Sequence, residues 1–193
     1  MNASDRQLRR VTRVASKVGQ GPYVKNPRLC RGIVIRNIRK EYAMKSRVQL
    51  AKNRHKNGYN CAQAVACTYC DLLDMDEKTA FRAVEAYGLG IAKRYEMCGS
   101  ICAMMMLAGL KNSDGNMEAP STKFSTFDLG GHMIKQFENW NTTSCCALLR
   151  GSDGTTDRLR SCRGCVADCA RIVEDQLFPG LFEPYEDRSP EEE

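Results

Sequence analysis

Nothing in this chain of 193 residues is apolar for long. No run reaches the ~18–20 residues that a membrane span needs. The longest, 101–110, reads as a buried helix. No apolar segment follows the N-terminal charges, so no secretory signal is read. Arg9-Arg10 invites a twin-arginine reading, and the polar stretch VTRVASKVGQGPYVK behind it removes that reading. Histidine is scarce, with two copies. His55 and His132 each stand alone on a helical stretch, which favours surface or core positions over ligation. No phosphate loop, dinucleotide fingerprint or serine elbow is present. No segment combines strand alternation with turn chemistry, so nothing argues for a sheet. Asp153, Asp157 and Asp168 lack the partner spacing that carboxylate catalysis requires.

Charge is plentiful but uneven. Residues 1–45 hold 12 Lys/Arg and 2 Asp/Glu, and residues 46–193 hold 17 and 21. The basic character belongs to the N-terminal piece, which removes the best argument for a nucleic-acid-binding core. Residues 1–43 show weak periodicity and several Gly and Pro, and are expected to be a basic, disordered or non-native extension. The sequence IRKEYAM makes Met44 a candidate true start. Residues 181–193 are expected to be an acidic, solvated tail.

What the chain does have is sulfur. Eleven cysteines are too few for a disulfide scaffold, which runs above about 8–10% Cys. Their number is odd and their spacing does not tile like a secreted knot. A reducing cytoplasm is therefore the expected location. Four segments carry the pattern: NGYNCAQAV (57–65), CGSIC (98–102), SCCALLRG (144–151) and SCRGCV (161–166). In three of them the cysteine follows a good N-cap residue, Asn60, Ser144 or Ser161, directly or one place on. A helix N-terminus offers unpaired N–H groups and about half a positive charge. A cysteine placed there is expected to have a lowered pKa, toward about 3.5–7.5. Cys67, Cys70 and Cys169 fall on helix faces and read as core sulfur. Cys30 lies in the extension and gets no role. Three adjacent methionines, Met104 to Met106, face three directions, so packing accounts for them better than soft-metal binding does.

From Met44 onward, through residue 180, the pattern is helical, and the expected class is all-α, a compact bundle of about six helices. Helices are expected at 43–56, 61–73, 74–87, 98 or 101–110, 121–139, 145–149 and 161–177. The apolar 101–110 helix should be the most buried. The 121–139 helix should turn Phe127, Ile134 and Phe137 inward and bend at Gly130-Gly131.

These residues resemble the C-GCAxxG-C-C family of redox-active proteins. The likeness runs from about residue 44 to 177. It rests on Gly58-Tyr59-Asn60-Cys61-Ala62-Gln63-Ala64, then Gly88-Leu89-Gly90 before Cys98-Gly99-Ser100-Ile101-Cys102. Cys146-Ala147-Leu148-Leu149-Arg150-Gly151 and Cys162-Arg163-Gly164-Cys165-Val166 follow. Ser100 stands where the family has alanine, Cys102 adds a thiol one turn from Cys98, Cys145 doubles the third position, and Cys165 makes a C-x-x-C with Cys162. The resemblance implies a shared site of Cys61, Cys98, Cys146 and Cys162. It also implies redox chemistry, at an iron–sulfur cluster or by thiol–disulfide exchange, beside a redox partner protein or transporter-linked oxidoreductase. Four thiolates match the usual ligand count of a cluster. Zinc ranks below it, because the first three cysteines are too far apart in sequence for paired zinc knuckles. A different class of reading keeps the same residues as structural or zinc-bound cysteines of a non-catalytic helical docking module.

Overall fold

The computed structural model describes residues 43–154 and 157–185. The chain divides into two units. One comprises 1–45 with 180–183; in its described part, the Met44 N–H donates to the Leu181 carbonyl and the Glu183 N–H to the Met44 carbonyl, each at 2.8 Å. The extension expected over 1–43, with Cys30, lies outside the described residues save its last member, and so does the tail beyond 185. The second unit, 46–179 with 184–193, holds the helices. Seven are right-handed: α1 (Val48–Lys56), α2 (Cys61–Tyr69), α3 (Glu77–Ala83), α4 (Gly99–Asn112), α5 (Lys123–Asn141), α6 (Cys146–Arg150) and α7 (Cys162–Leu177). Short 3₁₀ turns follow α2 and α3 at Cys70–Leu73 and Glu85–Tyr87. Among the described residues there is no strand, only isolated bridges. The class is all-α.

The centre is α2, not the methionine-rich helix. All nine α2 residues are buried, with α4, α7 and α1 packed around them. Small side chains at 62, 64 and 66 let these neighbours come close. The helix starts where a capping box predicts. Asn60 Oδ1 accepts from the Ala62 and Gln63 N–H groups, and Gln63 Oε1 accepts from the Asn60 N–H at 3.0 Å. Such a cap contributes about 1 kcal/mol. In α4, Cys102, Met105 and Met106 are only half-buried and Leu110 is exposed; an apolar sequence exceeded what neighbouring helices could cover.

Other expectations move as well. The first helix begins at Val48 rather than at residue 43. The third begins at Glu77, capped by Asp76. α5 is one continuous helix across Gly130-Gly131, with Gly130, Met133, Phe137 and Asn141 buried. Phe127 is 63% exposed and makes an edge-to-face pair with Phe124. It lies off the stripe that Met133 and Phe137 define. Cys67, Cys70 and Cys169 are buried, as expected of core sulfur.

Two buried carboxylates fix α7. Asp168 has no exposure and accepts from Arg160, Arg171 and Asn141. A Cβ at Gly164 would stand 2.5 Å from Arg160 Nε, so glycine makes room for the arginine to cross the helix start. Glu174 accepts from the Arg47 N–H at 2.6 Å and from the Tyr69 hydroxyl at 2.8 Å, tying α7 to the start of α1 and the end of α2.

Burial raises the Glu174 pKa, against the opposing hydrogen bonds from Ser46, Arg47 and Tyr69. A raised folded-state pKa gives stability that is complete below the unfolded carboxylate pKa and lost as pH rises through the folded one. Glu174→Gln keeps an acceptor and cannot ionise. Urea unfolding between pH 4 and pH 7 should therefore show the variant gaining on the wild type as pH rises. A gap that is flat or narrows would contradict this.

Candidate functional site

Four chain segments are stitched together around one cavity by backbone hydrogen bonds. The Cys98 N–H donates to the Ser144 carbonyl and the Cys146 N–H to the Glu96 carbonyl, flanking an antiparallel bridge between Met97 and Cys145. The Arg160 N–H donates to the Leu149 carbonyl at 2.9 Å, carrying the join on to the start of α7. There the Ser161 hydroxyl accepts from the Gly164 N–H. On the other side, Asn60 Nδ2 donates to the Glu85 carbonyl, which fixes the start of α2 against the chain before the cavity. Cys61 and Cys162 are thus first residues of helices, Cys146 is the first residue of α6, and Cys98 is the residue preceding α4.

The cavity encloses about 450 Å³, and Cys61, Cys98, Cys146, Cys162 and Cys165 all line it. Three of these sulfurs are in contact. Cys61 is hydrogen-bonded to Cys98, and Cys98 to Cys165. Closeness of this kind needs a missing side chain: a Cβ at Gly99 would lie 2.9 Å from Cys61 Sγ and would collide with the Tyr87 carbonyl oxygen. Cys145 is half-exposed and its thiol faces the Tyr95 carbonyl at 3.5 Å, so Cys146 is the member of that pair that reaches the cavity. Cys102 does not line it.

One wall has an unusual backbone. Leu89, Gly90, Ile91, Ala92 and Lys93 all have φ between 50° and 68°, a left-handed turn at 88–91 and beyond. For residues with a Cβ this costs about 1–2 kcal/mol each. Hydrogen bonds hold it: the Ala92 N–H donates to the Ala86 carbonyl and the Tyr95 N–H to the Leu89 carbonyl. The turn brings the Leu89 N–H to the Cys61 sulfur, where it favours the thiolate. Strain of this sort persists only where surrounding structure enforces it.

The expected lowering of thiol pKa does not occur. The hydrogen bond to Cys98 and then burial push Cys61 far up; the hydrogen bond to Cys165, together with burial, does the same for Cys98. Burial raises Cys146 to about 11, with the neighbouring Cys162 adding to it. Burial also raises Cys162, against Arg150, which favours its thiolate. In Cys165 the hydrogen bond from Cys98 favours the thiolate, yet burial and nearby Cys169, Cys162 and Asp168 leave its pKa raised. Helix starts do supply N–H groups, such as that of Ser100 to Cys98. Desolvation and crowding of like groups outweigh them. Within the trio the proton stays on Cys61 against Cys98, and on Cys98 against Cys165. Charge therefore appears at Cys165 first.

The family model described as "Putative redox-active protein (C_GCAxxG_C_C)" matches residues 59–176. The chain belongs to this family. No curated protein and no solved structure matches it. The family match spans the whole stitched region, from the residue before Asn60 almost to the end of α7.

Two residues of the cavity escaped the sequence reading. Cys165 touches Cys98; its C-x-x-C spacing was visible, but nothing local says that it faces another helix. His55 lines the cavity, with its pKa lowered by burial and by Arg163. His132 is exposed. As a site for a metal, the arrangement is mixed. Among the described residues, no group of three or more His, Cys, Asp or Glu side chains could hold a metal ion. For a cluster, whose thiolate ligands stand farther apart, the donor set fits in kind and number. The Ser100 hydroxyl, fully buried with no hydrogen-bond partner, lies where it favours an anionic sulfur on Cys61.

Gly99→Ala would force the Tyr87 carbonyl or Cys61 aside. Overpacking of this kind should cost about 1–3 kcal/mol in urea unfolding. It should also make Cys61 alkylate sooner in the native state, read by mass spectrometry of the labelled peptide. Unchanged stability and labelling would remove the close-packing account.

Proposed function

We propose that the chain is a thiol–disulfide redox protein whose working pair is Cys98 and Cys165, with Cys61, Cys146 and Cys162 in the same cavity. The observation that carries this is the hydrogen-bonded run Cys61–Cys98–Cys165, drawn from three different helix starts. Two thiols in contact need little motion to become a disulfide. Cys165 takes the charge because Cys98 donates to it. As a thiolate it is the nucleophile, and Cys98 is the thiol that resolves the mixed disulfide. Cys146 and Cys162, beside Arg150, line the remaining wall. The 46–180 region is the functional domain in this reading, and the cytoplasm, which keeps thiols reduced, suits it.

One observation supports a second reading. Cys61, Cys98, Cys146 and Cys162 share the cavity, and the unpartnered Ser100 hydroxyl favours anionic sulfur there. These four would hold an iron–sulfur cluster, which when bound supplies one-electron transfer. Ser100 and the Leu89 N–H would then donate toward its sulfur.

Anaerobic purification followed by a thiol-trapping redox titration separates the readings. The dithiol predicts colourless protein, a reversible loss of two thiols, and a Cys98–Cys165 linked peptide. Cys165→Ser and Cys98→Ser should each abolish the link, and Cys67→Ser should leave it intact. Stoichiometric iron and labile sulfide would favour the cluster instead. Equal effects from Cys67→Ser and Cys165→Ser would defeat the assignment.

A further inference from the structure

The cavity limits what can reach its sulfurs. Cys61, Cys98, Cys146 and Cys165 are exposed by 9, 5, 5 and 2%. A disulfide carried on a folded protein surface cannot approach sulfur so recessed. A small molecule can, and a volume of about 450 Å³ lies within the roughly 300–1,000 Å³ of small-ligand pockets. Leu89, Ala92 and Leu149 give the walls an apolar character. The charged groups are unbalanced: Lys93 and Arg150 line the cavity against one acid, Glu85. Arg150 is close enough to both Cys146 and Cys162 to favour their thiolates, and its guanidinium lies over the Tyr95 ring, 5.9 Å from the centroid, which limits its freedom. A fixed cation near recessed sulfur is suited to an anionic group on the molecule whose sulfur reacts.

Resting on the thiol–disulfide reading above, we infer that the cavity takes a low-molecular-weight disulfide bearing carboxylates, its sulfurs toward Cys165 and Cys98 and a carboxylate toward Arg150 or Lys93. The Cys165 thiolate attacks one sulfur of R–S–S–R. The S–S bond breaks, a Cys165–S–S–R bond forms, and the leaving R–S⁻ takes up the proton that Cys165 released. Cys98 then attacks the Cys165 sulfur. The second R–S⁻ leaves and takes up the Cys98 proton. The small molecule gains two electrons and two protons, and the protein pair loses them as it becomes a disulfide.

The test uses the full-length reduced protein with three reagents at equal concentration: dithiodipropionate (anionic), bis-hydroxyethyl disulfide (neutral) and cystamine (cationic). Formation of the Cys98–Cys165 link is followed by acid quench, alkylation and mass spectrometry. Each rate is divided by that of the same reagent with a small neutral thiol. The anionic reagent should exceed the cationic one by about tenfold at low salt, and the ratio should fall as salt is added. Arg150→Gln and Lys93→Gln should each lower the ratio measured within that variant, a comparison that partial loss of folded protein does not disturb. A wild-type ratio of one or below, or a ratio that neither variant lowers, overturns the substrate class. Failure of all three reagents to give the Cys98–Cys165 link overturns the underlying reading instead.

Discussion

Taking sulfur out of water decides most of what this site is. A thiolate left in an apolar cavity loses hydration that a few N–H groups do not fully replace. Each cavity cysteine is accordingly pushed toward its neutral form, and the nearness of the others adds to the push. Neutral thiols can share hydrogen bonds, which five anions could not. The packing of Cys61, Cys98 and Cys165 against one another is thus a property of the reduced, protonated state. The same burial that suppresses charge shields these sulfurs from irreversible oxidation by large or indiscriminate reagents.

Holding the sulfurs there falls to groups that carry no sulfur. Gly99 leaves the space that Cys61 and the Tyr87 carbonyl occupy. The bridge at Met97 and Cys145 sets Cys98 beside Cys146. Asp168, gripped by Arg160 and Arg171, orients α7 from within. A buried charge network of this kind adds little stability over an apolar packing of the same shape. Its effect here is positional, since Arg160 also receives the chain from Leu149 and delivers it to Ser161 and Cys162. The left-handed turn at 88–93 is the most costly part of the wall. It brings the Leu89 N–H to the Cys61 sulfur.

Local chemistry was legible in the sequence and long-range contact was not. Asn60 with Gln63, Ser161 before Cys162, and the i, i+3, i+4 apolar pattern of α2 each act within a turn or two, so they can be read along the chain. The all-α class followed from them. The burial order of the helices did not, because the exposure of Cys102 and Leu110 on α4 depends on where other helices end. Phe127 was misjudged for the same reason: one turn of offset along α5 separates a buried stripe from an exposed one. The left-handed turn had no clear signal, since its φ values fall on Leu, Ile, Ala and Lys, residues that rarely adopt them. Cys165 and His55 belong to the cavity through neighbours far away in sequence.

The order in which the trio gives up protons is a consequence of geometry that burial alone would not produce. Desolvation raises all three, and by itself would leave no preferred site for charge. The hydrogen bonds have a direction: Cys61 holds its proton against Cys98, and Cys98 holds its own against Cys165. Any charge developed in the cluster is therefore delivered to Cys165 and stabilised there by a donor that is also a sulfur. The donor that lowers the cost of the thiolate is, in the next step, the thiol that must displace the leaving group from it. A serine or a backbone N–H at the position of Cys98 would stabilise the same charge and then have nothing further to contribute. Placing a second thiol there couples the formation of the nucleophile to its resolution, and does so between helix starts that only the fold brings together.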